Sequence, residues 1–289
     1  MTDITIATHN GNFHADDVFS VAALKNIFPS FKLIRSRNLE IIAKADIVLD
    51  VGGEYDPDTD RFDHHQRGGA GERANGIPYS SFGLIWKKYG LQICKGNQEV
   101  ANALDTGLVS TIDAIDCGHA EGVSKGISLS QTISLFNPTW QEDSHFDTCF
   151  DEAVSFAARL LTRSIAAAEG GLNARAIVAR AIDSAKDPRV VVLERYTPWK
   201  KTVNALSEKA LFVIYPSHSG KWMIQTVPVE LGSFEDRKSL PKQWAGLSDN
   251  AFKEVTNLDD AMFCHNGLFI AGAESFASIM KMATMALQE

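Results

Sequence analysis

The segment DIVLDVGG, at residues 46–53, restricts the possible folds more than any other part of the sequence. It is an apolar run that ends in Asp50 and two glycines, the pattern of a strand buried in a parallel sheet. Two earlier segments, ITIAT at 4–8 and FKLIRSR at 31–37, predict strands, and DDVFSVAALKNIF at 16–28 has helical spacing. Strands that alternate with helices predict an α/β fold whose parallel sheet is covered by helices.

The helical spacing recurs further along the chain. Further helices are predicted at residues 39–45, 79–90, 97–116, 147–163 and 174–185, the last two separated by EGGLN. Residues 117–140 have no clear period and predict a long loop, whereas the pattern after Arg189 is mostly strands, with a hairpin turn at 217–220. We therefore expect a parallel-sheet domain of residues 1–187 with flanking helices, and a smaller α+β domain of residues 188–289.

The composition narrows the class of protein. Of the 289 residues, 45% are hydrophobic and 22% charged, as is typical of soluble globular proteins. No apolar stretch approaches the ~18 residues that a membrane span needs. No signal peptide is expected, since the first residues show no basic stretch followed by an apolar run. The four cysteines form no C-x-x-C pair, which favours reduced thiols and a cytoplasmic location. The hydrophobic content allows a homodimer without requiring one.

The net charge of −8 bears on the substrate. Proteins that hold a long duplex usually present a basic face, because phosphate neutralisation supplies most of the non-specific affinity. Here an acidic chain could still bind nucleic acid if divalent metals reversed the local sign of the charge. The charge therefore favours a short or single-stranded substrate at a compact site.

Three polar clusters follow predicted strands: His9, His14 and Asp16 after the first, Asp50 at the end of DIVLD, and Asp63, His64 and His65 beyond it. Ligands of open parallel sheets bind at the carboxyl ends of the strands, so we expect these clusters to converge. Imidazole and carboxylate ligands suit Mn²⁺, Fe²⁺ or Zn²⁺, and no thiolate is expected nearby. Ligands in this number suit two metal ions about 3.5–4 Å apart, as in phosphoryl transfer.

Each cluster also has an ordinary structural explanation. Asp16 or Asp17 could cap the helix that follows, and His9 or His14 could be a hydrogen-bonded turn residue. Asp50, which precedes two glycines, could be a turn former. The occurrence of all three clusters at strand ends favours a joint site.

On these residues the chain resembles the DHH phosphoesterase superfamily, which has a leading histidine, an Asp-x-Asp pair, a lone aspartate and an Asp-His-His triplet. More closely, it resembles the melanocyte-proliferating-gene (Myg) exonuclease family in THNGNFHADD, DIVLDVGGEYDPDTDRFDHHQRG, YSSFGLIWKKYG, IDAIDCG, PWKKTVNAL, WMIQTVP, RKSLPKQWAGL and MFCHNGLFIAGAESFASIMKMA. The resemblance implies a metal-dependent phosphodiesterase, a hydrolase that acts as a 3′–5′ exonuclease on single-stranded RNA or short oligonucleotides. A hydroxide made from water shared by two metals would be the nucleophile.

The resemblance also implies the ligands of two divalent ions, with Mn²⁺ preferred and Fe²⁺, Co²⁺ or Zn²⁺ as alternatives. One ion would be held by His9, His14 and Asp50, and the other by Asp16, Asp50, His64 and a later aspartate. For the later aspartate, VSTIDAID offers Asp113, which is preferred, and Asp116, the competitor or a supporting acid. His65 would face the phosphate and Asp63 would orient the histidines.

The chain departs from the superfamily pattern in the first turn. One residue more than usual separates His9 from the Asp-x-Asp position, and His14 replaces its first aspartate. The turn must therefore differ locally, and one metal site would be richer in nitrogen and less negative.

Substrate contacts are expected from Arg67 and from the second domain. The resemblance implies that the motif His265-Asn266-Gly267 there stands in the position of the relatives' glycine-rich substrate loop. Trp199 could stack on a base and Lys200 could pair with a phosphate. The alternatives are a solvated charge at Arg67, a sharp turn at His265-Asn266-Gly267 and a buried Trp199.

Two other functions stay open. A small-molecule phosphatase acting on dinucleotides, nucleotides or pyrophosphate fits the acidic charge. A non-catalytic, metal-stabilised binding protein is disfavoured by the complete ligand set, since binding alone needs no open two-metal centre.

Overall fold

The computed structural model describes residues 4–119, 126–143 and 145–289. The chain divides into two compact units, Met1–Glu169 and Gly170–Glu289. A five-stranded sheet lies in each unit, and the parallel strands and helices of the first confirm the predicted α/β class. Within the described residues, no helix is long and apolar enough to cross a lipid bilayer.

The sheet of the first unit is mainly parallel. Its strands are β1 (Ile4–Thr8), β2 (Phe31–Arg35), β3 (Ile47–Leu49), β4 (Tyr55–Asp56) and β5 (Arg61–Phe62). They lie in the order β2-β1-β3-β5-β4; β4 is antiparallel to β5 and the other pairings are parallel. The carboxyl ends of β1, β3 and β5 therefore meet at one edge of the sheet.

The described helices between residues 15 and 134 of the first unit are α1 (Ala15–Leu24), α2 (Leu39–Ile42), α3 (Ser81–Ile93), α4 (Gln98–Leu104), α5 (Ser110–Asp116) and α6 (Leu129–Ser134). All ten residues of α1 are buried, and it packs against α3, α5 and α6. Its first turn therefore places two carboxylates, Asp16 and Asp17, in the protein interior.

The sequence predicts one long loop at 117–140, and this prediction was wrong at residues 129–134, which form α6. Ser128 caps this helix: its Oγ accepts from the backbone N–H of Gln131 at 3.1 Å, and its own N–H donates to the Gln131 side chain at 2.8 Å. This reciprocal capping box stabilises a short helix. Its S-x-x-Q pattern is present in the sequence and was the missed signal.

A π-helical turn, Asp105–Val109, separates α4 from α5, where one continuous helix was predicted. The backbone N–H of Ser110 donates to the carbonyl of Asp105, five residues earlier. Such a turn accommodates one extra residue inside a helix.

A single helix, α7 (Phe146–Asp183), replaces the two helices predicted in this region. Gly170 and Gly171 lie inside it, and no side chain crowds either position. Each glycine costs about 1 kcal/mol relative to alanine, and the alanine-rich sequence around them continues the helix. The division between the units falls within α7, and the domain boundary at 187/188 stays a prediction.

The second unit contains a mostly antiparallel sheet. Its elements are β6 (Val190–Val192), α8 (Lys200–Leu206), β7 (Phe212–Pro216), β8 (Trp222–Thr226), a 3₁₀ turn (Lys242–Trp244), α9 (Asp249–Thr256), β9 (Ala261–Cys264), β10 (Ile270–Ala273) and α10 (Phe276–Gln288). The strand order is β6-β7-β8-β10-β9, and only the β6–β7 pairing is parallel. The predicted hairpin is confirmed, since Ser217 N–H donates to Lys221 O at 2.7 Å across its turn.

Candidate metal centre

Three strand ends bring two histidines to one aspartate. His9 follows β1, Asp50 follows β3, and His64 follows β5. Nε2 of His9 lies 3.2 Å from Oδ2 of Asp50, and Nε2 of His64 lies 3.3 Å from its Oδ1. The two oxygens of one buried carboxylate thus face two different imidazoles, so Asp50 could contribute a ligand atom to more than one metal ion.

Hydrogen bonds from the other ring nitrogens select the nitrogen that each histidine presents. Nδ1 of His9 lies 3.2 Å from the carbonyl of Asn10, which fixes it as the N–H nitrogen. Nδ1 of His64 lies 3.9 Å from Sγ of Cys117. Both rings therefore present Nε2 to Asp50. The expectation that no thiol lies nearby was wrong, since Cys117 contacts the ring of His64.

The first turn of α1 adds two carboxylates to the cluster. Oδ2 of Asp16 lies 3.7 Å from Nε2 of His64, and Oδ2 of Asp17 lies 3.2 Å from Nε2 of His9. The other oxygen of Asp17 accepts the backbone N–H of His14 at 3.0 Å. Asp17 thus combines capping with a contact to His9, whereas the sequence analysis treated it only as a capping candidate.

Asp116, and not Asp113, joins this cluster. Oδ2 of Asp116 lies 3.3 Å from Nε2 of His64. The carboxylate of Asp113 is fully buried and accepts hydrogen bonds from Ser80 Oγ at 2.5 Å, from Gly83 N–H at 3.0 Å and from Arg73 Nη1 at 2.6 Å. The preference for Asp113 as the metal ligand is therefore corrected, because its carboxylate anchors Arg73 and the start of α3.

The close packing of Asp113 makes Gly83 a sensitive position. A Cβ on Gly83 would meet the Asp113 carboxylate and lie 2.8 Å from the ring of Tyr79. Gly83→Ala is expected to lower the free energy of unfolding by about 1–3 kcal/mol, although alanine is the better helix former. Gly170→Ala, in open space in α7, is expected to raise it by up to about 1 kcal/mol. Urea denaturation measures the free energy of unfolding of both variants. An equal change in the two variants would refute the packing argument.

The pKa values in the cluster indicate that its buried carboxylates need positive charge nearby. Burial raises the pKa of Asp16 well above its ordinary value, and the charge of Asp50 raises it further. Burial alone would lower the pKa of His9 and of His64, but hydrogen bonds to their aspartates outweigh it and raise each pKa to about 10. Burial would raise the pKa of Asp50, yet the hydrogen bonds of His64 and His9 hold it below its ordinary range. Divalent cations would supply the charge that these protons supply.

Asp16 provides the most direct test of whether the residues fit a metal. It has no exposed surface, and neither oxygen of its side chain receives a hydrogen bond within the described residues. A buried carboxylate without donors costs several kcal/mol, so its oxygens suit a cation. Groups of ligand atoms within 4.8 Å of one another include His9, His14 and Asp50, and also His14, Asp16 and Asp116. The donor set therefore fits one or more divalent ions.

His65 lies at the exposed edge of this cluster, with its Nδ1 3.5 Å from Oδ1 of Asp50. Its Nδ1 lies 2.7 Å from Oδ1 of Asp63, and the side chain of His65 is 63% exposed. Asp63 also accepts the backbone N–H groups of His64 at 2.7 Å and of Gly53 at 2.5 Å. Asp63 thus orients His65 so that its Nε2 is available to a ligand.

A cavity of about 410 Å³ opens on the cluster. Its lining includes the charged and imidazole side chains of His14, Asp50, His64, His65 and Asp116, together with Ser130, Gln131 and Ser134 of α6. These three polar residues were not predicted from the sequence, because their segment shows no clear period. They add uncharged hydrogen-bonding groups to the lining.

The chain is similar to a known protein family along almost all of its length. The family model for MYG1 exonucleases, described as Uncharacterised protein family (UPF0160), matches residues 5–287. The chain belongs to the MYG1 family. The MYG1 protein YER156C of Saccharomyces cerevisiae is 33% identical over 98% of this chain and 95% of its own length. The MYG1 exonucleases of Rattus norvegicus and Homo sapiens are each 32% identical over 98% of this chain, covering 84% and 86% of their own lengths. No solved structure is significantly similar to it.

The predicted substrate residues of this MYG1 family member have varied surroundings. Arg67 and Lys200 are exposed. Trp199 is 2% exposed and packs with Val178, Val191 and Val203. The prediction that Trp199 stacks on a base was wrong, because its ring lies in the hydrophobic core of the second unit.

The motif His265-Asn266-Gly267 forms the tight turn between β9 and β10. The N–H of His265 donates to the carbonyl of Ile270 at 2.9 Å, and the N–H of Gly267 donates to Nδ1 of His265 at 2.9 Å. All three residues are exposed. The next helix, α10, begins at Phe276, after β10, so no helix start adjoins this motif.

Metal addition is expected to stabilise this MYG1 family member. In metal-free protein Asp16, Asp50 and Asp116 repel one another, and bound cations remove that repulsion. An ion present at 100 times its Kd stabilises the folded protein by about 2.7 kcal/mol, which a thermal-shift assay with Mn²⁺ would detect as a higher Tm. Asp50→Asn serves as the control with a small shift. An unchanged Tm of the unaltered protein with Mn²⁺, Fe²⁺, Co²⁺ and Zn²⁺ would count against a metal site.

Proposed function

We propose that this chain is a metal-dependent phosphodiesterase of the DHH superfamily that acts as a 3′–5′ exonuclease on single-stranded RNA or short oligonucleotides. The observation that carries the proposal is Asp50, whose two oxygens face two different imidazoles, those of His9 and His64. Relatives from Rattus norvegicus, Mus musculus and Homo sapiens are named MYG1 exonuclease, which supports a nuclease. RNA and the direction of attack rest on the family resemblance.

Two ions divide the ligands in this proposal. His9, His14 and Asp50 would hold one, and Asp16, Asp50, His64 and Asp116 the other. When bound, such a pair makes water nucleophilic at neutral pH and neutralises charge on the phosphate oxygens. Mn²⁺ is the proposed metal because hard carboxylates outnumber the imidazoles around the second ion. The thiol of Cys117 lies 3.9 Å from Nδ1 of His64 and is also near Asp116, and it is not one of the proposed ligands.

The remaining residues act on the substrate directly. His65 would donate a hydrogen bond from its exposed ring to a non-bridging phosphate oxygen, in a ring orientation that Asp63 fixes. Arg67, two residues later on an exposed loop, would pair with a neighbouring phosphate. Lys200 and the turn at His265-Asn266-Gly267 are the proposed contacts from the second domain, in a cytoplasmic enzyme.

A second candidate function is a phosphatase for dinucleotides, nucleotides or pyrophosphate. The cavity of about 410 Å³ is large enough for one small phosphate ester, and the net charge of −8 disfavours long nucleic acids. Turnover of these compounds without shortening of oligomers would favour it.

The deciding experiment incubates metal-stripped protein, with and without Mn²⁺, with 5′-labelled single-stranded RNA and separates the products on a denaturing gel. A ladder of products shortened from the 3′ end, present only with Mn²⁺ and absent in Asp50→Asn and His64→Ala, supports the proposal. An intact oligomer would overturn the exonuclease, and dinucleotides and pyrophosphate would then be tested as substrates.

A further inference from the structure

The turn between β1 and α1 carries two proposed metal ligands that are held in different ways. His9 is buried, and two aspartates contact its ring. The ring of His14, whose centroid lies 6.0 Å from that of His9, belongs to an exposed residue. The position of His14 therefore depends mainly on the backbone of the turn, in which Gly11 adopts a left-handed φ of 83°.

A side chain from a distant part of the sequence fixes that backbone next to His14. Nδ2 of Asn137 donates to the carbonyl of Phe13 at 2.9 Å, and the N–H of Phe13 donates to Oδ1 of Asn137 at 3.0 Å. One amide thus satisfies both backbone groups of the residue before His14, as a neighbouring strand would. Asn137 follows α6, whose Ser130, Gln131 and Ser134 line the cavity.

Arg35, at the end of β2, holds the same turn from another side. Its Nη2 donates to the carbonyl of Gly11 at 2.7 Å, and its Nη1 donates to Asp147 of α7 at 2.9 Å. The guanidinium lies 4.4 Å from the centre of the Phe150 ring, and its side chain is 3% exposed. The turn is therefore held by hydrogen bonds from β2 and from the segment after α6.

We propose that Asn137, supported by Arg35, is a positioning residue for His14 and hence for the ion that His9, His14 and Asp50 would hold. The inference rests on the two-ion function proposed above. Ligand bonds of about 2.0–2.2 Å tolerate little displacement, and the Phe13 peptide sets where the Cα of His14 lies.

Asn137→Asp tests the proposal with almost no change in size. The variant keeps an acceptor for the Phe13 N–H but replaces the donor facing the Phe13 carbonyl with an oxygen, which that carbonyl repels. Metal-free full-length protein is titrated with Mn²⁺ and free Mn²⁺ is followed by electron paramagnetic resonance. We expect one ion to bind as in the unaltered protein and the other about 10- to 100-fold more weakly, the loss typical of residues that orient ligands.

Three further variants sharpen the test. Asn102→Asp, exposed on α4 and bonded to Gln98, is the matched control and should leave both ions unchanged. His14→Ala should weaken the same ion, and adding Asn137→Asp to it should cost little more, since both act at one ligand. If Asn137→Asp fails to fold, Arg35→Lys, which removes the bond to Gly11, should weaken the same ion.

The outcomes separate this inference from the proposed function. Two Mn²⁺ ions that bind equally well to Asn137→Asp and to the unaltered protein, or that weaken equally, would overturn the role of Asn137 and leave the two-ion site intact. Fewer than two ions on the unaltered protein would overturn the two-ion function, and this inference with it.

Discussion

Asp50→Asn is expected to reduce Mn²⁺-dependent hydrolysis by well over 100-fold, more than the ~10- to 100-fold typical of residues that only orient ligands. The reason is that Asp50 faces both His9 and His64, at 3.2 and 3.3 Å, so one neutralised carboxylate weakens both proposed ions. An amide offers one neutral oxygen and no negative charge to a cation. We expect kcat to fall at saturating substrate, together with Mn²⁺ affinity.

Asparagine is the informative replacement because of the backbone. Asp50 has a left-handed φ of 54°, which asparagine tolerates and alanine does not. Asp50→Asn should therefore stay folded, and circular dichroism with thermal unfolding provides the check. Glu54→Gln, an exposed acid after the same strand, is the matched control. Activity of Asp50→Asn within 10-fold of the unaltered protein would overturn the bridging role.

Asp116→Ala is expected to reduce metal binding without loss of stability. Asp113→Ala is expected to reduce stability while metal binding is kept. Asp116→Ala should reduce Mn²⁺ affinity and activity by more than 100-fold, while the free energy of unfolding of metal-free protein does not fall. Asp116 lies at the C-terminal end of α5, where the helix dipole disfavours a negative charge. Its charge is also unfavourable to the nearby carboxylates of Asp16 and Asp50.

Asp113→Ala should instead destabilise the protein by about 3–5 kcal/mol, because it leaves the donors of Arg73, Ser80 and Gly83 without their buried acceptor. Its folded fraction should still bind Mn²⁺. Urea denaturation of metal-free protein and Mn²⁺ titration of the same samples measure both effects. If Asp113→Ala loses metal affinity without losing stability, the original preference for Asp113 as ligand is restored.

The strand-end residues could be predicted from the sequence because their signals are local. An apolar run that ends in Asp50 and glycine predicts both a buried strand and the edge at which it ends. The same reasoning located His9 and His64 on neighbouring strands. It required only that parallel strands present their carboxyl ends together, and the order β2-β1-β3-β5-β4 meets that condition.

The choice between Asp113 and Asp116 could not be made in this way. Both lie on one helix three residues apart, and helical spacing alone favours neither. The difference comes from Arg73, which lies 40 positions earlier in the chain and donates a hydrogen bond to Asp113. No pattern of neighbouring residues predicts this contact. Asn137 and Phe13 are likewise 124 positions apart.

Trp199 illustrates a different limit of sequence reasoning. Its neighbour Lys200 suggested a pair for base and phosphate, and the ammonium does lie 5.9 Å from the indole ring. The packing of α8 and β6 nevertheless buries the ring. Adjacent residues in a sequence can thus divide between core and surface, and composition does not show which one is buried.

The π-helical turn at Asp105–Val109 restricts insertions and deletions within a helical segment. An α-helical residue advances the chain by about 100° around the axis, so deleting Gly107 would make the helix regular and rotate α5 by about that angle relative to α4. Asp116 would then leave the cluster. Insertions and deletions usually accumulate in loops, such as the hairpin turn at 217–220. In relatives that keep this site, we expect the number of residues between α4 and Asp116 to be invariant although the segment is helical.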